Sequence, residues 1–359
     1  MSRDLVLDSG KTPYLCASSE NNAVSSYVSY DERYIDKGNC VFIGGKTFVV
    51  SYQEEDFFSN DSHNLALYLK DSKRRTKPIQ LFLTTCITMS LKHKYSWGNS
   101  ISNKKIQDDT VLLPVKNGKI DFEFMESFVA ELEAQRVAEL SAYLKVSGYD
   151  NYELSAEELK ALRDFGDLGD DNWGTYKVGN LFERVETKKL PYKAKELPKQ
   201  PTDDYILPCL TSSFQNQGLN YYAPKAGATV LSNVISIPSN SDVYRAYYQT
   251  RDFTVLSDAY AIRWKLKDIA ISPNHYLFMV MCINKVTDLP IYSYKNKLGG
   301  WNVVKEKYIR LPEKDGKIDL AFMGTFISAV KKLAIKEVVL YSDQKIAATK
   351  KAVARVQIP

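Results

Sequence analysis

Apolar residues recur along the chain in two rhythms, and each rhythm is used twice. After Asp121, the residues Phe124, Phe128, Leu132, Val137, Leu140 and Leu144 fall three to five positions apart, which is the spacing of one stripe on an α-helix. Asp121 stands where a helix N-cap belongs. After Asp319 the same rhythm returns in Phe322, Phe326, Val330, Leu333 and Val338. Ahead of each helix lie short runs rich in Val, Ile, Phe and Tyr, such as NCVFIGGKTFVVSYQ at 39–53 and GATVLSNVISIP at 227–238. Gly, Asn, Ser and Pro punctuate them, so they read as strands and turns. Two longer apolar runs, 77–91 and 274–286, are of helix length.

The doubling extends to the letters themselves. LPVKNGKIDFEFMESFVAEL at 113–132 returns as LPEKDGKIDLAFMGTFISAV at 311–330, 198 residues later. PYLCASSENN at 13–22 matches PCLTSSFQNQ at 208–217, and YQEEDFF at 52–58 matches YQTRDFT at 248–254. LKD closes a strand-like run at 69–71 and at 266–268, and YSWGNS at 95–100 has a looser echo in YSYKNK at 292–297. The offset stays between 195 and 198. An internal duplication accounts for this: a mainly β module of more than 100 residues, followed by a helix, occurs twice. The expected class is α/β (α+β).

Charge sharpens the picture. Residues 173–312 hold 19 Lys and Arg against 11 Asp and Glu, while 148–172 hold 2 against 8. A basic module beside an acidic connector points to an anionic partner for the module. The two helices are also opposite in charge: 121–145 carries six acidic and two basic residues, and 319–355 three acidic and seven basic. Apolar seams and opposite charge invite the helices to pair. At roughly 1.5 Å per residue, such helices span roughly 40 Å, so an antiparallel pair would hold two similar modules apart in pseudo-twofold fashion. Duplex DNA, with antiparallel strands, is a ligand of matching repetition.

Several residues carry a family resemblance. Trp173, Lys177, Gly179, Leu181 and Phe182 in WGTYKVGNLFERV resemble the opening of a target recognition domain. PYLCASSENNAV and PCLTSSFQNQGL resemble its next block. The Leu-Pro to Gly-Lys-Ile-Asp phrase resembles its exit, and ELEAQRVAELSAYL at 131–144 resembles the spacer helix that follows. Over nearly its whole length the chain resembles the specificity (S) subunit of Type I restriction-modification systems, including the separate specificity chains of some Type II systems.

The resemblance implies two target recognition domains of similar fold separated by two long antiparallel helices forming a coiled coil. The expected bounds are 1–118 for the first domain, 119–147 for the first spacer helix, 148–172 for the acidic connector, 173–316 for the second domain and 317–356 for the second helix. It implies a non-catalytic subunit that reads a bipartite site on double-stranded DNA. Methyltransferase subunits would dock on the helices, and a restriction or translocase subunit joins in some systems. Neither cofactor nor metal is expected. One departure stands out: 173–195 has no counterpart in the first copy, because Met1 falls near the position equivalent to about residue 196. The first recognition domain is therefore expected to lack its opening segment.

DNA binding needs Lys, Arg and polar groups on phosphates, and Arg, Lys, Asn or Gln at base edges. The stretch 239–251 offers Asn240, Tyr244, Arg245, Gln249 and Arg251. LKHKYSWGNS offers Lys92, Lys94 and Asn99, and KNKLGGWN offers Lys295 and Lys297. Lys73, Arg74 and Arg75 are candidate phosphate contacts. Phe124, Phe128, Leu132, Phe322 and Phe326 are the expected helix seam.

The rival class, a stand-alone DNA nuclease, lacks support. GGKT at 44–47 has Cys40 where a phosphate-binding loop needs Gly, and a strand-like run after it. No Asn/Asp-Pro-Pro-aromatic methyltransferase motif occurs. Glu158 and Lys160 have nuclease-like spacing but sit in an acidic helical run expected to be a solvated face. His63, His93 and His275 have no neighbouring ligands in sequence and read as structural. Five widely spaced cysteines, no signal peptide and no apolar run of about 20 residues suggest a cytoplasmic, non-membrane protein.

Overall fold

In the computed structural model, which describes residues 7–59 and 61–356, the chain forms two units. One holds the residues up to Val146 together with those from Leu340 onward; the other runs from Ser147 to Val339.

In the first unit, strands β1 (Leu7–Leu15), β2 (Val24–Ser29), β3 (Ile35–Asp36), β4 (Cys40–Gly44), β5 (Val49–Gln53), β6 (Phe57–Ser59) and β7 (Leu65–Leu67) precede helix α1 (Lys77–Leu91). A short ribbon, β8 (Val115–Lys116) and β9 (Lys119–Ile120), leads into α2 (Phe122–Val146). The sheets run β2-β1-β6-β3 and β5-β4-β7. Strand β4 reads CVFIG without polar alternation because both of its faces are covered. Val41 and Ile43 pack with Ile79, Leu83 and Ile87 of α1, while Cys40 and Phe42 pack with Leu15 and Phe57.

The second unit opens with α3 (Ala156–Asp167), β10 (Trp173–Lys177), α4 (Val178–Leu181) and β11 (Phe182–Arg184). Then follow β12 (Leu207–Leu210), β13 (Leu219–Ala223), β14 (Val234–Pro238), β15 (Tyr247–Gln249), β16 (Thr254–Val255), β17 (Ala259–Trp264) and α5 (Pro273–Thr287). Helix α6 (Trp301–Val304) and ribbon β18 (Tyr308–Lys314) and β19 (Lys317–Ile318) end in α7 (Leu320–Val356), whose residues from Leu340 belong to the first unit.

The duplication is visible strand by strand. The order β13-β12-β16 repeats β2-β1-β6, and β15-β14-β17 repeats β5-β4-β7. Registers agree as well. Tyr14 and Leu15 pair in parallel with Phe58 and Ser59, as Cys209 and Leu210 do with Thr254 and Val255.

The repeated Gly-Lys-Ile-Asp phrase has a local cause. Asn117-Gly118 and Asp315-Gly316 take positive φ at both positions, near 50° and 72°, as a two-residue type I′ hairpin requires. The following Asp caps the helix: Asp121 Oδ1 accepts from the Phe124 amide at 2.9 Å, and Asp319 Oδ1 from the Phe322 amide at 2.9 Å.

The segment 173–184 gives the second unit two strands with no partner in the first. β10 pairs along β18 and β11 along β17, whereas among the described residues β8 pairs only with β9 and β7 only with β4. The cover shows in burial. Leu311 is fully buried beneath it, while its counterpart Leu113 is only half-buried and neighbouring Leu112 is 87% exposed.

Two expectations are corrected here. The connector 148–172 contains α3, which packs into the second unit's core through Ala161 and Phe165. Glu158 is buried rather than on a solvated face: it takes Nζ of Lys332 at 2.8 Å and the Ser328 hydroxyl at 2.6 Å. The expected seam also divides. Phe326 is buried and Phe322 half-buried, but Phe124, Phe128 and Leu132 are 46%, 47% and 43% exposed. The reason is α3: Phe165 stacks on Phe326 with centroids 4.2 Å apart. Among the described aromatic rings, Phe128 meets Phe124 and the edge of Phe82 on α1. The buried positions of α2 are Met125, Val137 and Leu144 instead.

Candidate nucleic-acid interface

Each unit carries a turn of unusual backbone, after β1 in the first and after its counterpart β12 in the second. Asn21, Asn22 and Ala23 have φ of 46°, 52° and 69°, and Asn216, Gln217 and Gly218 have 47°, 53° and 86°. Left-handed conformations cost a non-glycine residue about 1–2 kcal/mol each, so something must hold them. A buried glutamine does so in both copies. Gln53 Nε2 donates to the Asn22 carbonyl (2.9 Å) and to Ser51 Oγ (2.9 Å); Gln249 Nε2 donates to the Gln217 carbonyl (3.1 Å) and to Ser236 Oγ (3.0 Å).

That observation corrects part of the expected reading surface. Gln249 is buried scaffold and has no free amide to offer a base. Tyr244 is likewise in the core, edge-on to Tyr292. Around it, Asn284 of α5 clamps Ala246 through both backbone groups (2.7 and 3.2 Å). Arg245 is exposed but paired, its Nε 2.6 Å from Asp288 Oδ2 at the end of α5. Arg251 is exposed and unpaired among the described residues. Asn240 is half-buried and faces a polar cleft that also takes Ser213, Gln215, Asp242, Asp258 and Tyr294. A surface ion pair contributes under about 1 kcal/mol, so Arg245→Ala is expected to leave thermal unfolding nearly unchanged, as calorimetry will show.

In the first unit, Lys92 is exposed and makes no ion pair among the described residues, while Lys94 pairs with Asp109 (2.9 Å). Tyr95 also donates to Asp109 (2.5 Å); burial and that carboxylate push its phenol to about 12, so it stays protonated. Asn99 is occupied in closing its own turn, donating to the Lys94 carbonyl (2.9 Å) and accepting from Lys105 (2.7 Å). In the second unit Lys295 is exposed and Lys297 lies over the Tyr294 ring.

The basic run 73–75 separates into three environments. Lys73 is exposed. Arg75 donates to the Leu69 carbonyl (2.7 Å) and covers Tyr68. Arg74 lies over Phe122 and lines a shallow cleft with Lys116 and Lys119. The last two lysines escaped notice in the sequence because the hairpin, not proximity in the chain, brings them to Arg74.

Also unforeseen is a cleft of about 750 Å³ in the second unit. Lys193, Lys199, Gln215, Asn216 and Asn220 are among the residues that line it. Of these, Lys193 comes from the segment that the first copy lacks. His275 is structural, accepting at Nδ1 from the Ser272 amide at the head of α5. No group of three or more His, Cys, Asp or Glu among the described residues is placed to hold a metal ion, and no described helix is long and apolar enough to cross a membrane.

Comparison with known proteins finds relatives of this arrangement. No curated protein matches the sequence. The S subunit of a Type I restriction-modification system from M. genitalium shares 11% identity, covering 98% of this chain and 89% of that one, with a TM-score of 0.52. The HsdS subunit from Thermoanaerobacter tengcongensis aligns over 95% of this chain and 85% of its own at 12% identity, with a TM-score of 0.32. The first of these establishes a shared fold. Residues 1–142 match the Type I restriction modification DNA specificity domain, and the second unit repeats the strand order of the unit that holds this match.

Proposed function

We propose that the chain is the DNA sequence-specificity subunit of a restriction-modification system, reading a bipartite site with two recognition domains. The observation that carries this reading is the repetition of a DNA specificity domain's topology, strand order and register included, in a second unit of the same chain. Two copies of one reading fold suit two half-sites, as dimeric DNA readers suit paired half-sites. Chemistry would come from elsewhere: methyltransferase subunits positioned on the site, and in some assemblies a restriction or translocase subunit. The chain itself contributes recognition.

The helices fit a spacer role. α2 and the part of α7 in the first unit are linked by Lys345 and Glu133 (2.5 Å), in keeping with the opposite charges of the two helices. Antiparallel pairing of α2 and α7 would set the distance between half-sites. The second unit, with its added strands, its cleft and Arg251, is expected to make the more specific contact.

Mapping methylated positions genome-wide in cells with the chain present and with it deleted tests the reading. The expected outcome is one split motif methylated only when the chain is present. An unchanged methylation pattern would refute it.

A further inference from the structure

Both units end their helix (α1 or α5) in the same small device. A tyrosine is anchored in the fold: Tyr95 stacks on Phe48, and Tyr292 meets Tyr244 edge-on. A tight turn follows, in which Ser96 and Ser293 donate to the carbonyls of Asn99 and Asn296 at 3.2 and 3.0 Å. An asparagine amide closes each turn from below, Asn99 to the Lys94 carbonyl (2.9 Å) and Asn296 to the Ile291 carbonyl (2.7 Å). The residue at the tip is a large aromatic, and it is held out: Trp97 is 73% exposed and Tyr294 56%. A lysine lies over each ring, Lys46 at 5.9 Å from the Trp97 centroid and Lys297 at 4.8 Å from that of Tyr294. These lysines are not equivalent. Lys46 comes from the β4–β5 connection, whereas Lys297 lies in the loop just past the Tyr294 turn. The duplication therefore does not explain the pairing of cation with exposed ring; each unit arrived at it separately.

We infer that Trp97 and Tyr294 are DNA-contacting residues, one per half-site, each ring inserting at a base step of the duplex and stacking on the base face this opens, while its lysine meets the adjoining phosphate. This rests on the DNA-reading function proposed above and adds specific residues to it. A rigid turn presents the ring with little entropy to lose. A π-face accepts any base, and the lysine supplies charge without choosing sequence. Both residues are so exposed that their truncation leaves the fold intact.

The experiment uses the full chain, alone and assembled with methyltransferase subunits. The DNA is a duplex carrying the mapped site and a scrambled duplex of the same composition. Trp97→Ala and Tyr294→Ala are each expected to weaken binding about 10-fold with the salt slope unchanged, and phenylalanine at either position to restore most of it. Lys297→Ala is instead expected to lower the salt slope by about one, and Lys46→Ala by less, because the Lys46 ammonium is also paired with Asp61 (3.0 Å). Tryptophan emission should be quenched by DNA in wild type and not in Trp97→Phe. If wild type prefers the mapped duplex while both alanine variants bind it within twofold of wild type, the aromatic contacts are refuted and the DNA-reading function stands. If wild type itself shows no preference between the duplexes, that function falls, and the inference with it.

Discussion

Phe326→Ala is expected to destabilise the second unit by about 3–5 kcal/mol, while Phe128→Ala, its counterpart 198 residues earlier, costs the first unit only about 1 kcal/mol. The two phenylalanines occupy the same step of the repeated phrase, so helix propensity and sequence context nearly cancel in the comparison. What differs is cover. Phe326 is 7% exposed, stacked on Phe165 of α3 and edge-on to Phe278 of α5. Truncation there leaves a cavity walled by three elements. Phe128 is 47% exposed, and among the described aromatic rings it meets Phe124 and Phe82, so its loss forfeits one aromatic cluster and creates no void. Urea unfolding followed by hydrogen exchange, which separates the two units, measures both. Equal costs would mean that α3 does not seal the second unit in solution.

Much of this architecture could be read from the chain. The offset between copies appears in the letters, and the hairpin-plus-cap phrase names its own geometry, since Asn-Gly or Asp-Gly followed three residues later by Asp allows little else. Helices 77–91 and 274–286 were visible from length and apolar content. Two kinds of feature were not visible. Burial at half-apolar positions depends on which element happens to lie across them: nothing around Phe128 or Phe326 in the sequence says that only one is covered by α3. Polar residues in strands are also ambiguous. Gln249 sits in SNSDVYRAYYQTR among plausible base readers, yet its amide supports a left-handed turn 32 residues away. The repeat held the missing clue, because Gln53 recurs with it in the YQ of both copies. A residue kept by both modules serves what they share, the scaffold, whereas reading of different half-sites calls for residues that differ.

Glu158→Ala is the other substitution of large expected effect, about 3–5 kcal/mol, because it strips a buried ion pair of one partner. Glu158 joins three things. With Ser155 it forms the capping box that starts α3, its Oε2 accepting from the Ser155 amide at 2.8 Å and its own amide donating to Ser155 Oγ at 3.2 Å. Its carboxylate also takes Lys332 and Ser328 from α7. Burial alone pushes this carboxyl's pKa upward. The bonds from Lys332, Ser328 and the Ser155 amide outweigh it, so the group is held below the usual glutamate range. A carboxyl whose folded pKa is depressed stabilises the fold above its unfolded value of about 4.3, and that contribution disappears as pH falls through the folded value. The α3–α7 contact is therefore expected to keep its full strength at neutral pH and to loosen in acid. Glu158→Gln preserves the shape and much of the cap while removing the charge. Denaturant unfolding of wild type and Glu158→Gln across pH 3–8 should show a stability gap that is constant above about pH 5 and closes below about pH 4. A gap that persists unchanged at pH 3 would show that the ion pair is not what Glu158 contributes, and that its capping of α3 accounts for its burial.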